Sequence, residues 1–177
     1  MKQLLILFLL MAPFVPAHGQ GVVSQFVEQT GKLKNGAMLF NISGKMLKMA
    51  MEAEKNKSEE DKELEAFLSN VKKMSILIGQ ELNDDSRKRI NALTKPFEEL
   101  LSVTEENTVI SMLTLEKDGK TVEFVMQIIA GDTLVMLDIV GIIDITQLAK
   151  LSEGFEINGA EYLKNLDKLK EKDKKKK

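Results

Sequence analysis

Apolar and polar residues alternate along this chain with two different periods, and the period changes mark its elements. Val22, Val23, Phe26 and Val27 share one face of a helix expected over residues 22–32. Residues 37–42 read as a short strand. A helix over 46–54 is expected to begin near Ser43. Ser58 suits an N-cap, with Glu59, Glu60 and Asp61 in the first turn, where acids favour the helix dipole. Leu64, Phe67, Leu68 and Val71 continue that helix at helical spacing. Residues 74–79 predict a buried strand. The next helix starts at Asn83 or Asp84 and carries the stripe Ile90, Leu93, Phe97, Leu100 and Leu101. Pro96 lies within it and is expected to kink or divide it, because proline lacks the amide donor.

Two strand-like runs follow, 107–116 and 121–129, joined by Lys117-Asp118-Gly119-Lys120. A central Asp-Gly pair favours a tight hairpin. Pairing Lys117 with Lys120 sets Leu115 opposite Val122, Leu113 opposite Phe124, Ser111 opposite Met126 and Val109 opposite Ile128. A second turn at Gly131-Asp132, pairing Ala130 with Thr133, aligns Val135, Leu137 and Ile139 with Ile128, Met126 and Phe124 on one apolar face. Asp144 reads as the N-cap of a helix carrying Ile145, Leu148 and Leu151, and a last helix carries Leu163, Leu166 and Leu169. The expected class is α+β: a mostly antiparallel sheet with a C-terminal three-strand meander and helices packed on its apolar face.

The chain's start reads differently. Lys2 precedes an apolar run over 4–14, and small residues stand at Ala17 and Gly19. This is the pattern of a signal peptide over 1–19, cut after Gly19 or alternatively after Ala17. The run is shorter than the ~20 apolar residues that span a bilayer. The expected organisation is therefore a leader over 1–19, one domain over 20–161 and a basic helix and tail over 162–177, with no transmembrane segment after cleavage. The expected location is periplasmic or extracellular.

Composition narrows the chemistry. The chain has no cysteine, and its single histidine, His18, falls in the leader. Ser-His-Asp and Cys-His catalysis and the usual zinc sites are thus excluded from the body. Carboxylates, lysines and hydroxyls are left, and no cofactor or metal is implied. Tryptophan is absent and Tyr162 is the only tyrosine, which weighs against aromatic stacking on sugars or single-stranded nucleic acid. The tail from Tyr162 has eight lysines and three acids, whereas Gln20 to Glu161 has 16 basic and 24 acidic residues. An acidic body carries a basic tail, a feature that could touch an anionic surface.

The second face of the expected meander is apolar for a solvent face. Met112, Val125 and Met136 lie on it with Ile129 and Leu134, and Asp138 sits among them, beside Glu123, Gln127 and Thr114. Met112, Val125, Met136 and Asp138 are the candidate ligand-binding residues. Methionine adapts to varied partners, and a carboxyl group in apolar surroundings holds its proton more tightly. No second carboxylate stands at a spacing that guarantees a catalytic pair with Asp138. Two Asn-X-Ser triplets, at Asn41 and Asn56, and Asp132-Thr133-Leu134 resemble glycosylation signals, and tripeptides this short recur by chance.

The segment Phe40-Asn41-Ile42-Ser43-Gly44-Lys45-Met46-Leu47 and the run Gly141-Ile142-Ile143-Asp144-Ile145 after the meander resemble domain-of-unknown-function family 4252. That resemblance implies a small exported protein of the Bacteroidetes group and brings no catalytic residues with it. The functional expectation is a non-enzymatic envelope domain that binds a protein or hydrophobic ligand, with an envelope protein or lipid as partner and nucleic acid disfavoured. The alternative is a carboxylate-dependent hydrolase of envelope glycans, which needs two carboxylates converging in a cleft.

Overall fold

The computed structural model describes residues 20–31, 33, 36–53 and 58–148. The leader, His18, the helix carrying Leu163 and the lysine tail lie outside the described residues. The elements in chain order are α1 (Val22–Thr30), β1 (Met38–Ser43), α2 (Gly44–Glu52), α3 (Glu59–Ser69), β2 (Val71–Glu81), α4 (Asp84–Thr94), β3 (Glu98–Glu105), β4 (Thr108–Lys117), β5 (Lys120–Ala130) and β6 (Thr133–Gly141). The class is α+β. The six strands form one antiparallel sheet in the order β1-β2-β6-β5-β4-β3.

Local chemistry sets the element ends. The Ser43 hydroxyl accepts from the Met46 amide at 3.2 Å and starts α2. Ser58 and Asp61 form a reciprocal capping box at the start of α3, and Asn83 and Ser86 form another at α4. Asp118 and Gly119 both take positive φ, 53° and 70°, which turns the β4–β5 hairpin tightly. The Asp144 carboxylate accepts from the Thr146 amide at 2.9 Å, where the chain turns helical again over 145–148.

Two expectations are corrected. The helix expected to run through Leu101 ends at Thr94, and 98–105 is strand β3 instead. Pro96 cannot donate the next helical hydrogen bond, and the Phe97 amide closes a turn onto the Thr94 carbonyl at 2.9 Å. Leu101 and Val103 then pair with Met112 and Ile110. The second correction concerns the β4–β5 register. Lys117 does pair with Lys120, but a bulge between Leu115 and Glu116 leaves Val122 unpaired. Every pair above the bulge slips by one: Leu115 faces Glu123, Leu113 faces Val125 and Ser111 faces Gln127. Because side chains alternate, a one-residue slip moves all of β4 to the opposite face. The β5–β6 pairs, from Ala130–Thr133 to Phe124–Ile139, have no such slip.

Helices cover both faces of the sheet, not one. On the first face, Val22, Val23 and Phe26 of α1 and Ile90 of α4 pack on Leu77, Leu113, Val125, Leu134 and Met136. On the second, Met51 of α2 and Phe67 and Leu68 of α3 pack with Ile143 on Met112, Phe124 and Ile139. The two layers are unequal. Val22, Val23 and Phe26 are at most 1% exposed. On the second face the core centres on Phe124 and Ile139, with Met126 and Leu137 of the next row packed against it, and does not include Ile128 or Val135.

Candidate functional site

Helix α1 begins at Gly21, which has no side chain to cap it. The sheet supplies the caps. The Val22 amide donates to Oε1 of Glu123 at 2.7 Å, and the Val23 amide donates to Oδ2 of Asp138 at 3.0 Å. Both carboxyl groups thus face the positive end of the helix dipole. A Cβ on residue 21 would overlap Oδ2 of Asp138, so glycine is what lets the helix start so close to the acid. Lys73 of β2 adds a third tie, donating to the Ser24 hydroxyl of α1.

Asp138 is 1% exposed and Glu123 8%. Burial, first, and the neighbouring charge of Glu123, second, push the Asp138 carboxyl up from 3.8 to about 8. The Val23 amide and Lys73 pull the other way and do not offset them. Asp138 therefore keeps its proton at neutral pH and hydrogen-bonds to Glu123. Its Oδ1 meets no donor among the described residues, an arrangement that a neutral acid tolerates far better than a carboxylate. The cost is outweighed locally. Burying Val22, Val23 and Phe26 is worth roughly 1.5–3 kcal/mol each, so the helix docks on apolar contact and the acid pair fixes where it starts.

The four sequence candidates separate. Val125, Met136 and Asp138 share the α1 face and are 0%, 0% and 1% exposed. Met112 is 3% exposed but lies on the α2 face, moved there by the bulge at Val122 of β5. That corrects the expectation of a common face. The α1 face is also covered by α1 and α4, so these residues do not line an open hydrophobic pocket. Glu123, which pairs diagonally with Asp138, completes the group. Alternation places it on the Asp138 face, but the sequence does not reveal that both acids converge on one helix end.

A cavity of about 520 Å³ adjoins the pair. Glu123 and Val22 line it with Phe97, Leu115, Val122 and Ile142. Asp138 lies behind this lining. Only one acid of the pair therefore reaches the cavity, and both acids already accept from α1.

The accessible apolar surface lies elsewhere. Two rows cross the α2 face: Phe40–Ile76–Leu137–Met126, and Met38–Ile78 with Val135–Ile128–Ile110–Val103. Ile76, Ile78, Val103, Ile110, Ile128 and Val135 are half-buried and belong to neither core cluster. No polar side chain interrupts these rows, and among the described residues no helix covers the second. Met38 and Phe40, at its β1 edge, are 51% and 47% exposed. Among the described residues, no helix is long and apolar enough to cross a membrane, and no cluster of three His, Asp or Glu could hold a metal ion.

No curated protein and no solved structure shows significant similarity to the chain. The family model for a domain of unknown function, DUF4252, matches residues 33–151. That span holds the whole sheet, α2 to α4, and both segments, Phe40 to Leu47 and Gly141 to Ile145, that carry the resemblance. The chain belongs to the DUF4252 family.

Proposed function

We propose that this is an exported, non-enzymatic envelope domain, periplasmic or extracellular, that binds a protein partner or hydrophobic ligand through the open half of its α2 face. The observation that carries the reading is the half-buried apolar group Ile78, Val135, Ile128, Ile110 and Val103, which lies outside both core clusters and runs out at the β1 edge to the exposed Met38 and Phe40. Soluble domains rarely leave a contiguous apolar patch uncovered without a use for it. The apolar leader and the small residues at Ala17 and Gly19 support export. The basic tail is a second surface through which the domain can meet an anionic envelope component.

The reading predicts that Ile128→Lys and Val135→Lys leave the fold intact, because a lysine on an open sheet face can extend to water. Wild type and variants would each be used to recover material from native envelope, analysed for proteins and lipids. Recovery of the specific partner should fall at least tenfold, since about 1.4 kcal/mol of lost apolar contact already accounts for that factor. Equal recovery by all three proteins would defeat the reading.

The convergence of Asp138 and Glu123 favours one alternative, a carboxylate-dependent hydrolase of envelope glycans. Against it, both acids are buried and both are used by α1. New reducing ends released from envelope glycan by wild type, and lost in Glu123→Gln, would establish that alternative. The binding reading expects none.

A further inference from the structure

We propose that two copies of this chain join through their β1 strands, edge to edge and antiparallel, into a two-fold dimer with one continuous sheet. The two edges of the sheet differ. β3, at one edge, carries Glu98, Glu99 and Glu105 and has a bulge between Glu99 and Leu101. Charges and bulges are the usual devices that keep an edge strand from pairing with another chain. β1, at the other edge, has neither. Its sequence Met-Leu-Phe-Asn-Ile-Ser holds no charge and no proline, and it pairs with β2 over all six residues without a register shift.

The same edge gathers the exposed apolar side chains. Five large apolar residues stand out among the described residues, and four belong to β1 and α2: Met38, Phe40, Met46 at 59% and Met49 at 58%. Helix α2 packs against β1 and β2, so a two-fold axis at the β1 edge brings α2 of each copy beside it.

Self-pairing is also compatible in chemistry and symmetry. With Phe40 opposite Phe40 of the second copy, Met38 falls opposite Ile42 and Leu39 opposite Asn41. No like charges meet, and an aromatic pair sits at the axis. A β1–β3 contact would instead be head-to-tail and would propagate, and the β3 glutamates and bulge oppose it. The β1–β1 contact closes after two copies. Residues directly opposite in an antiparallel pair point to the same side. The dimer would therefore place both open α2 faces side by side as one double-width apolar surface. The inference rests in part on the binding reading above, which names that surface.

Sedimentation velocity on the full chain, as the cell matures it, tests the proposal. Wild type should sediment as a dimer at micromolar concentration, and Met38→Lys/Phe40→Lys as a monomer with an unchanged circular-dichroism spectrum. The chain has no cysteine, so single-cysteine variants give a second readout that does not depend on the lysines being tolerated. A short thiol cross-linker should join Phe40→Cys chains into dimers and leave Glu105→Cys chains on β3 single. A monomeric wild type, or equal cross-linking from both positions, would overturn the proposal. A monomer that dimerises only after removal of residues 154–177 would also overturn it and would assign the edge to that segment. If wild type is monomeric yet Val135→Lys still loses its envelope partner, only the dimer falls. If it is dimeric and Val135→Lys loses nothing, only the binding reading falls.

Discussion

Replacing Asp138 by asparagine should remove most of the loss of stability that the wild-type chain suffers between pH 5 and pH 8.5. The folded chain holds the Asp138 proton up to about pH 8, whereas the unfolded chain releases it near 3.8. A raised folded value means that the folded state binds the proton more tightly. The stabilising contribution is complete below 3.8, declines as pH rises through the interval, and is gone above about 8. The slope is at most about 1.4 kcal/mol per pH unit, so the wild-type melting temperature should fall by on the order of 10 °C across that range. Asparagine has no such proton to lose. Its carbonyl can accept from the Val23 amide, and its NH₂ can donate to Glu123. The variant should melt nearly independently of pH and above wild type at pH 8.5. Parallel pH profiles for the two proteins would show that Asp138 does not hold its proton in the fold.

Two glycines within the family match, Gly44 and Gly141, should tolerate no side chain. Gly44 follows β1, and a Cβ there would overlap the Val71 carbonyl oxygen. Gly141 ends β6, and a Cβ there would overlap the Asn70 carbonyl oxygen and crowd the Val71 Cα at 2.9 Å. Both therefore press on the corner where α3 passes into β2. That corner is held by the Ile142 amide donating to the Asn70 carbonyl at 3.1 Å and by the pairing of Val71 with Gly141. The clash is with backbone, which cannot swing aside like a side-chain tip. Gly44→Ala and Gly141→Ala should each cost roughly 2–4 kcal/mol, read as a lower urea midpoint at unchanged slope. Because both press on one corner, their effects should not add. Gly131→Ala, whose Cβ would meet nothing within 4 Å, should lose only about 1–2 kcal/mol for its positive φ. Similar losses at all three positions would mean that the corner is not the constraint.

The fold was legible where one local signal decided the outcome. Ser43, Ser58 and Asn83 mark helix starts because a short polar side chain there satisfies a free amide. Asp118-Gly119 marks its turn because both residues accept positive φ. The β5–β6 register followed from the turn alone. The β4–β5 register did not, because the bulge at Val122 adds one residue that leaves no mark in the apolar pattern. Moving β4 by one residue took Met112 off the Asp138 face. β3 was hidden for another reason: Phe97, Leu100 and Leu101 continue a helical stripe from Ile90 and Leu93, and only the missing amide of Pro96 says where that stripe stops.

Of the candidate site, the buried acid was legible and its use was not. Asp138 among Val125 and Met136 stands out as a carboxyl in apolar surroundings. That its partners are Glu123 and the first amides of α1 depends on tertiary contact between residues far apart in sequence. The face that looked free, around Val125 and Met136, is closed by α1 and α4. The face that looked like core, around Ile128 and Val135, is open toward β1. Both strips carry enough apolar residues to pack under helices, so periodicity cannot say which one the helices choose.

If the open half of the α2 face, and not the α1 face, is the working surface, a partner should touch residue 135 and not residue 125. A photo-activatable cross-linking residue placed at position 135, and separately at position 125, would test it directly in the producing cell. Position 135, on the open face, should give a discrete cross-linked adduct, and position 125, beneath α1, should give none. No adduct from 135, or equal adducts from both positions, would contradict it.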